Sequence, residues 1–212
     1  PPNFATPEGT ERYRKRFAGI IAPEHFRALQ GLWVSSIGVG TYLGNYDEAT
    51  DAQYHQAVVG AVESGCNVID TAINYRCQRS ERSIGTALKE LGRKGYGRDE
   101  LVIATKGGFL PFDSMPPSDP KNYIIKTFVE SGVAAAADIV GGYHCMTPRY
   151  LLNQLESSLS NLDLECVDIY YVHNPESQLG KISAEEFDAR LVNAFEAFEQ
   201  AVARGKLRLY GT

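Results

Sequence analysis

Residues 67–88 read NVIDTAINYRCQRSERSIGTAL, and this stretch decides the fold of the chain. It begins with an apolar run at 67–72 that predicts a β-strand, and it continues into a segment whose apolar residues recur at helical spacing. Two further apolar runs of the same kind follow, LVIATK at 101–106 and VDIYYV at 167–172. Continuous apolar strands that alternate with amphipathic helices are typical of a parallel sheet covered on both faces.

The rest of the chain extends this alternation in both directions. A polar lead-in occupies residues 1–25, and FRALQGLWVSS at 26–36 predicts a small hairpin that turns at a glycine. IGVGTYL at 37–43 predicts a first strand, and KLRLYGT at 206–212 predicts a fifth. We therefore divide the chain into a lead-in and one domain at 26–212.

Four polar residues mark the predicted helix starts, because each can cap a helix that begins with an amphipathic run. They are Thr50 and Ser183, each in a capping-box pattern, Ser80, and Thr147, which precedes a proline. The segment 107–146 is rich in glycine, proline and serine at its start and predicts a long loop. Such a loop would either cover the mouth of a site or form a surface excursion.

Five parallel strands are compatible with two architectures. They form either an open doubly wound sheet or the first part of a larger (β/α)8 TIM barrel, and an open edge at the fifth strand is a liability in water. We favour the incomplete barrel. In such barrels the chemistry lies at the carboxyl ends of the strands.

Composition limits the classes of partner. The chain has 212 residues with a formal net charge of −5 and 22% charged residues, which leaves no basic stripe to neutralise a nucleic acid. The densest basic run, at residues 12–16, predicts a solvated tail or, as the alternative, an anionic contact. No stretch approaches the roughly 20 apolar residues that span a bilayer, so we expect no membrane partner.

The cysteines and the N-terminus indicate a cytoplasmic protein. Cys66, Cys77, Cys145 and Cys166 are irregularly spaced, which is typical of reduced thiols and not of a disulfide framework. The adjacent His144 and Cys145 lack the short spacing of a metal site, so we predict no metal. The first residues do not form a signal peptide, and the absence of an initial methionine indicates a processed or cut chain.

Four side chains that can together move a proton stand at or just after the carboxyl ends of the apolar runs. They are Asp70, Tyr75, Lys106 and His173. Each of them alone has an ordinary structural explanation as a loop cap, a packing residue or a buried core residue. Their shared position at strand ends favours a common site.

These residue types predict a definite chemistry. We expect Asp70 to hold Lys106, and the ammonium of Lys106 to lower the pKa of Tyr75, which is ordinarily about 10. His173 would hydrogen-bond a substrate carbonyl, so that a hydride donor alongside would complete a carbonyl reduction with Tyr75 as the acid. Lys106 could instead form a Schiff base, although pairing with a carboxylate keeps it protonated.

Five motifs, taken in order, resemble those of the aldo-keto reductase family and cover residues 26–212. They are GLWVSSIGVGTYLG, the stretch at 67–88, LVIATKGG, VDIYYVHNPE and GKLRLYGT. The resemblance implies a (β/α)8 barrel that reduces aldehydes or ketones with NADPH. It assigns the catalytic tetrad to Asp70, Tyr75, Lys106 and His173. It also places Gly40, Thr41 and Tyr42, together with Asp70, on the nicotinamide side of the cofactor.

The chain also departs from the family pattern. It ends with the fifth strand, whereas the family's carboxamide-binding and adenosine-binding residues follow that strand, so we expect residues 1–212 alone to bind NADP(H) weakly. No residue here distinguishes NADP from NAD. An interaction or accessory subunit with this fold is the alternative function, and the substrate and the oligomeric state stay open.

Overall fold

A parallel five-stranded sheet forms the centre of the computed structural model, which describes residues 2–212. Its strands lie side by side in chain order, β3-β4-β5-β6-β7, and every neighbouring pair is parallel. The strands are β3 (Gly38–Gly40), β4 (Val68–Asp70), β5 (Val102–Gly107), β6 (Val167–Val172) and β7 (Leu207–Gly211). A separate antiparallel hairpin precedes them, made of β1 (Phe26–Leu29) and β2 (Leu32–Ser35).

Six α-helices connect and cover the described strands. They are α1 (Pro7–Arg16), α2 (Glu48–Glu63), α3 (Arg79–Arg93), α4 (Pro120–Ile124), α5 (Pro148–Leu162) and α6 (Ala184–Ala203). The strand order and the hairpin agree with the sequence prediction, and the β/α alternation is that of a partial (β/α)8 barrel. The first strand is shorter than predicted, because only Gly38–Gly40 pairs with β4.

The core lies between the sheet and the helices. Ile69, Ile103 and Val167 from three successive strands are fully buried or nearly so. Helices α3 and α5 approach closely at Gly85, where a Cβ would lie only 2.8 Å from the carbonyl oxygen of Asn161. A side chain at Gly85 would therefore separate the two helices.

The lead-in contains a helix that packs on the body of the protein. Tyr13 of α1 is fully buried, and its hydroxyl donates to the carbonyl of Val62 at 2.6 Å. Arg12 donates to Asp99 at 2.7 Å and to Glu100 at 2.6 Å. The interpretation of the basic run as a solvated tail is therefore wrong, because two buried carboxylates hold part of it in place.

Two of the four predicted helix caps are wrong. Helix α2 begins earlier than Thr50, because Asp47 is its N-cap and accepts from the Thr50 amide at 2.8 Å. Helix α3 begins before Ser80, whose hydroxyl instead donates to the carbonyl of Thr41 at 2.7 Å. Thr147 and Ser183 are N-caps as predicted.

The segment 107–146 is more ordered than a loop. Its ends pair through the Leu110 amide and the Tyr143 carbonyl at 2.8 Å. Between them, α4 runs into a π-helical turn at Ile125–Glu130, and Phe128 of that turn is buried against Tyr150. The whole segment is a packed excursion between β5 and α5.

Within residues 2–212, none of the helices combines the length and the apolar character that a bilayer crossing requires.

Candidate active site

The carboxyl ends of β3, β4, β5 and β6 bring the predicted site residues to one end of the sheet. Asp70 ends β4 beside Gly40 of β3, and Lys106 lies next to the end of β5 beside Tyr171 of β6. His173 follows the last residue of β6. Parallel pairing sets this arrangement, because strands that run in the same direction end at the same edge.

Lys106 is held by three acceptors. Its Nζ donates to Oδ1 and Oδ2 of Asp70 at 2.8 Å and 2.7 Å, and to the carbonyl of Thr71 at 2.7 Å. All three donors of an ammonium group are then engaged, which fixes its position. The predicted contact between Asp70 and Lys106 is confirmed.

Tyr75 lies between the lysine and the histidine. Its ring centroid is 5.1 Å from Nζ of Lys106 and 5.6 Å from the imidazole of His173, with the two rings edge to face. Burial raises the pKa of Tyr75, and the negative charge of Asp70 raises it further. The pKa of Tyr75 is therefore raised in this structure, opposite to the lowering that we expected.

His173 is neutral at physiological pH. Burial, followed by the charge of Lys106, lowers its pKa to about 4. Within the described chain, its buried Nδ1 has no hydrogen-bond partner. A neutral imidazole can bind a polar ligand atom without first losing a proton.

The four residues line one cavity of about 510 Å³. Its other lining residues are Tyr42, Asn74, Phe109 and Asn174. The last three were not predicted from the sequence to be site residues. Their positions in the chain were the available signal: Asn74 and Asn174 are next to Tyr75 and His173. Phe109 follows the Gly-Gly pair after Lys106. Of the excursion at 107–146, only Phe109 lines the cavity.

The residues predicted to lie beside a cofactor differ in how accessible they are. Tyr42 is 65% exposed and packs its ring edge to face on Tyr75 at 4.9 Å. Thr41 is fully buried, and its hydroxyl is 2.8 Å from that of Thr71. Tyr42 therefore presents a side chain to the cavity, whereas the hydroxyl of Thr41 is occupied inside the protein.

A family model described as the Aldo/keto reductase family matches residues 36–212. The match includes all seven predicted site residues. This chain belongs to the aldo/keto reductase family.

Individual relatives agree with this membership. Aldo-keto reductase YhdN of Bacillus subtilis is 27% identical over an alignment of 175 residues, and the match covers 77% of this chain and 43% of the relative. The holo form of aldo-keto reductase AKR11C1 from Bacillus halodurans superposes with a TM-score of 0.59 at 25% identity, over 88% of this chain and 49% of that one. An aldo-keto reductase from Klebsiella pneumoniae in complex with NADPH gives a TM-score of 0.53 at 25% identity, over 86% and 46%. The chain thus spans about half the length of these reductases.

One loop of this aldo/keto reductase chain is built from unusual backbone conformations. Arg76, Cys77 and Gln78 follow Tyr75 directly and have φ values of 49°, 54° and 70°. Non-glycine residues rarely adopt this left-handed region, so the surroundings must hold them in it. Arg76 is buried and donates to Asp51 at 2.7 Å, and Gln78 donates to the Phe112 carbonyl at 3.0 Å. These contacts fix the segment that carries Tyr75.

Proposed function

We propose that this chain carries the proton-transfer residues of an NADPH-dependent oxidoreductase that reduces an aldehyde or ketone to an alcohol, with Tyr75 as the general acid. The observation that supports it is the arrangement of an aspartate–lysine pair, a tyrosine and a neutral histidine around one cavity. Family membership and the NADPH complex of the Klebsiella pneumoniae relative support the same chemistry.

Each side chain has a distinct part in the proposed reaction. Tyr75 keeps its proton in the free site because its pKa is raised, so it can donate that proton to the carbonyl oxygen as the alcohol forms. His173 hydrogen-bonds the carbonyl oxygen and orients it. Lys106, fixed by Asp70, supplies a positive charge 5.1 Å from the tyrosine ring that favours negative charge developing there.

The lining of the cavity offers groups that suit a nicotinamide ring and a small carbonyl compound. Asn74 Oδ1 is buried beside the cavity with no partner among the described residues, so it can accept from an amide. The exposed ring of Tyr42 offers an aromatic face to a planar group. NADP(H) would supply the hydride, with Gly40, Thr41, Tyr42 and Asp70 as the proposed neighbours of its nicotinamide.

The Schiff-base alternative is disfavoured by the contacts of Lys106. A lysine needs a free lone pair to attack a carbonyl carbon, and Nζ here donates to three oxygens as an ammonium. Borohydride trapping of a substrate on Lys106 would revive it.

The test is Tyr75→Phe in the full-length protein, with carbonyl reduction followed by the absorbance of NADPH over a panel of aldehydes and ketones. Because general acid catalysis typically contributes about 10²–10⁴-fold, we expect kcat to fall by that factor. Tyr46→Phe is the matched control, since Tyr46 is exposed and does not line the cavity. Equal rates for Tyr75→Phe and the wild type would contradict the acid role, and a wild type without activity would favour the accessory-subunit alternative.

We further propose a cytoplasmic location. All four cysteines are free and buried, as expected for a chain kept under reducing conditions. The proposed partner is a small carbonyl compound.

A further inference from the structure

His144 is a buried histidine outside the four proposed reaction residues. It lies at the end of the excursion 107–146, is fully buried, and packs edge to face on Phe109 with the ring centroids 5.1 Å apart. Both of its nitrogens have partners. Nε2 lies 2.8 Å from the carbonyl oxygen of His173, and Nδ1 lies 2.9 Å from the amide nitrogen of Gln178.

Arg190 on α6 determines the direction of these hydrogen bonds. Arg190 is paired with Glu186 at 2.6 Å, and its Nη1 lies 3.3 Å from Oε1 of Gln178. A guanidinium only donates, so this contact identifies the oxygen end of the Gln178 amide. The nitrogen end must then face His144, and it donates to Nδ1.

The tautomer of His144 follows from this orientation of Gln178. If Nδ1 accepts from Gln178, the proton of the neutral ring is on Nε2, and a carbonyl oxygen can only accept. Nε2 therefore donates to the His173 carbonyl. Burial lowers the pKa of His144, which agrees with a neutral ring. A continuous chain of donors thus runs from Arg190 through Gln178 and His144 to the main chain of His173.

The main chain of His173 is held where this series of hydrogen bonds ends. Its amide donates to the Gly107 carbonyl at 2.8 Å, and its own carbonyl accepts from His144. The next residue, Asn174, has a φ of 45°, so the backbone turns sharply right after the histidine. Phe109 then packs edge to face against the His173 ring as well, at 5.0 Å.

We propose that His144 is a positioning residue for His173, acting as the last donor of the chain Arg190–Gln178–His144. It does not touch the cavity. It holds the His173 main chain and, together with Phe109, the direction of the His173 ring. This inference rests on the proposed reductase function for its effect on catalysis, but the hydrogen-bond chain itself can be tested separately.

The first test is nuclear magnetic resonance of imidazole nitrogens in the full chain at neutral pH. We expect His144 to carry its proton on Nε2 only. In His144→Leu, which makes neither bond, the ring resonances of His173 should shift. In His144→Gln they should stay near the wild-type values, because an amide can donate to the His173 carbonyl and accept from Gln178. A proton on Nδ1, or an unmoved His173 in His144→Leu, would overturn the proposal.

The second test compares the kinetics of the same variants. Small misplacements of a catalytic group cost up to about 10²-fold, so we expect His144→Leu to lower kcat at least about tenfold, with a smaller change in KM. His144→Gln should recover most of the rate. His55→Leu is the matched control, since His55 also has partners at both nitrogens, Thr86 and Glu90, but lies away from the cavity.

Unfolding curves separate positioning from a purely structural role. If His144→Leu is less stable but keeps the wild-type kcat and pH profile while folded, His144 only supports the fold and the proposal is wrong. If the full-length wild type reduces no carbonyl, the proposed function fails, and the resonance experiment alone decides whether His144 positions His173.

Discussion

Tyr75 is the residue on which two opposite charges act. The Asp70 carboxylate raises its pKa together with burial, while the Lys106 ammonium is bound to that same carboxylate. We predict that Asp70→Asn lowers the pKa of Tyr75, because it removes the negative charge and leaves the ammonium without its counter-charge. The measurement is an ultraviolet titration of tyrosinate, with Tyr75→Phe subtracted to isolate this residue.

A charged side chain elsewhere provides the control for this titration. Asp163→Asn removes a carboxylate from the surface pair with Lys89, which is remote from the cavity. It should leave the Tyr75 titration unchanged. A Tyr75 pKa that stays constant or rises in Asp70→Asn would show that Asp70 does not act on the phenol as described.

Part of the site geometry could be predicted from the sequence, and part could not. The strand-end positions of Asp70, Lys106 and His173 are enough to predict that they meet, because parallel pairing follows from the order of strands and helices. The direction in which the pKa of Tyr75 is shifted could not be predicted in this way. It depends on burial and on how close the Asp70 charge lies to the phenol, and residue spacing gives neither.

Helix α3 holds a carboxyl group in the packed layer against β5 and α5. Glu81 is fully buried, and it accepts from the Thr105 hydroxyl at 2.6 Å and from the Asn161 amide at 2.9 Å. Burial raises its pKa above the ordinary value. The folded state therefore binds this proton more tightly than the unfolded chain does, so its contribution to stability is present at low pH and is lost as the pH rises through the raised pKa.

We predict that Glu81→Gln removes this pH dependence. The amide keeps an acceptor and carries no charge, so the variant should be at least as stable as the wild type at pH 8 and should lose less stability between pH 5 and pH 8. Urea unfolding at the two pH values measures both quantities. Glu196→Gln on the exposed face of α6 is the control and should follow the wild type. If the wild type gains stability with pH relative to Glu81→Gln, the raised pKa of Glu81 is contradicted.

The starts of the helices show where local patterns are sufficient. Ser183 is predicted correctly because its hydroxyl has a free amide to accept from, that of Glu186 at 3.1 Å. Ser80 has the same chemistry but bonds to Thr41, a residue far away in the sequence. The left-handed residues before α3 also move its start, and they are held by tertiary contacts of Arg76 and Gln78. Local capping rules fail where a distant partner competes.

The two ends of the sheet carry different features of the molecule. The carboxyl end carries the cavity, whereas the amino end is closed by the lead-in and the hairpin. At that end Asn67 accepts from the Ser35 amide at 2.8 Å and donates to the Trp33 carbonyl at 2.9 Å, which ties the hairpin to the sheet. The packed helix in the lead-in could not be predicted from its polar composition, since its anchors, Asp99 and Glu100, lie more than 80 residues away.

Asp168 joins three distant segments at the amino end. It is 1% exposed and accepts from the amides of Ala5 and Ile103 at 2.6 Å and 2.7 Å, and from Arg98 at 2.7 Å. Asp168→Ala would leave two amides without an acceptor, and it would leave the partly buried guanidinium of Arg98, which still donates to two carbonyls, without its counter-charge. Removing one partner of a buried pair costs about 3–5 kcal/mol, so we predict a loss of that size in the free energy of unfolding, measured by urea denaturation.

The same substitution tests whether the two ends are independent. Asp168 precedes His173 by five residues of extended chain, or about 16 Å, so folded Asp168→Ala should keep the Tyr75 titration of the wild type.

Adding Arg98→Met removes the stranded charge, and the double variant should therefore lose less stability than the sum of the two single variants. Additive losses would mean that Arg98 and Asp168 do not act as a pair. A shifted Tyr75 titration would mean that the amino end of the sheet also sets the geometry of the cavity.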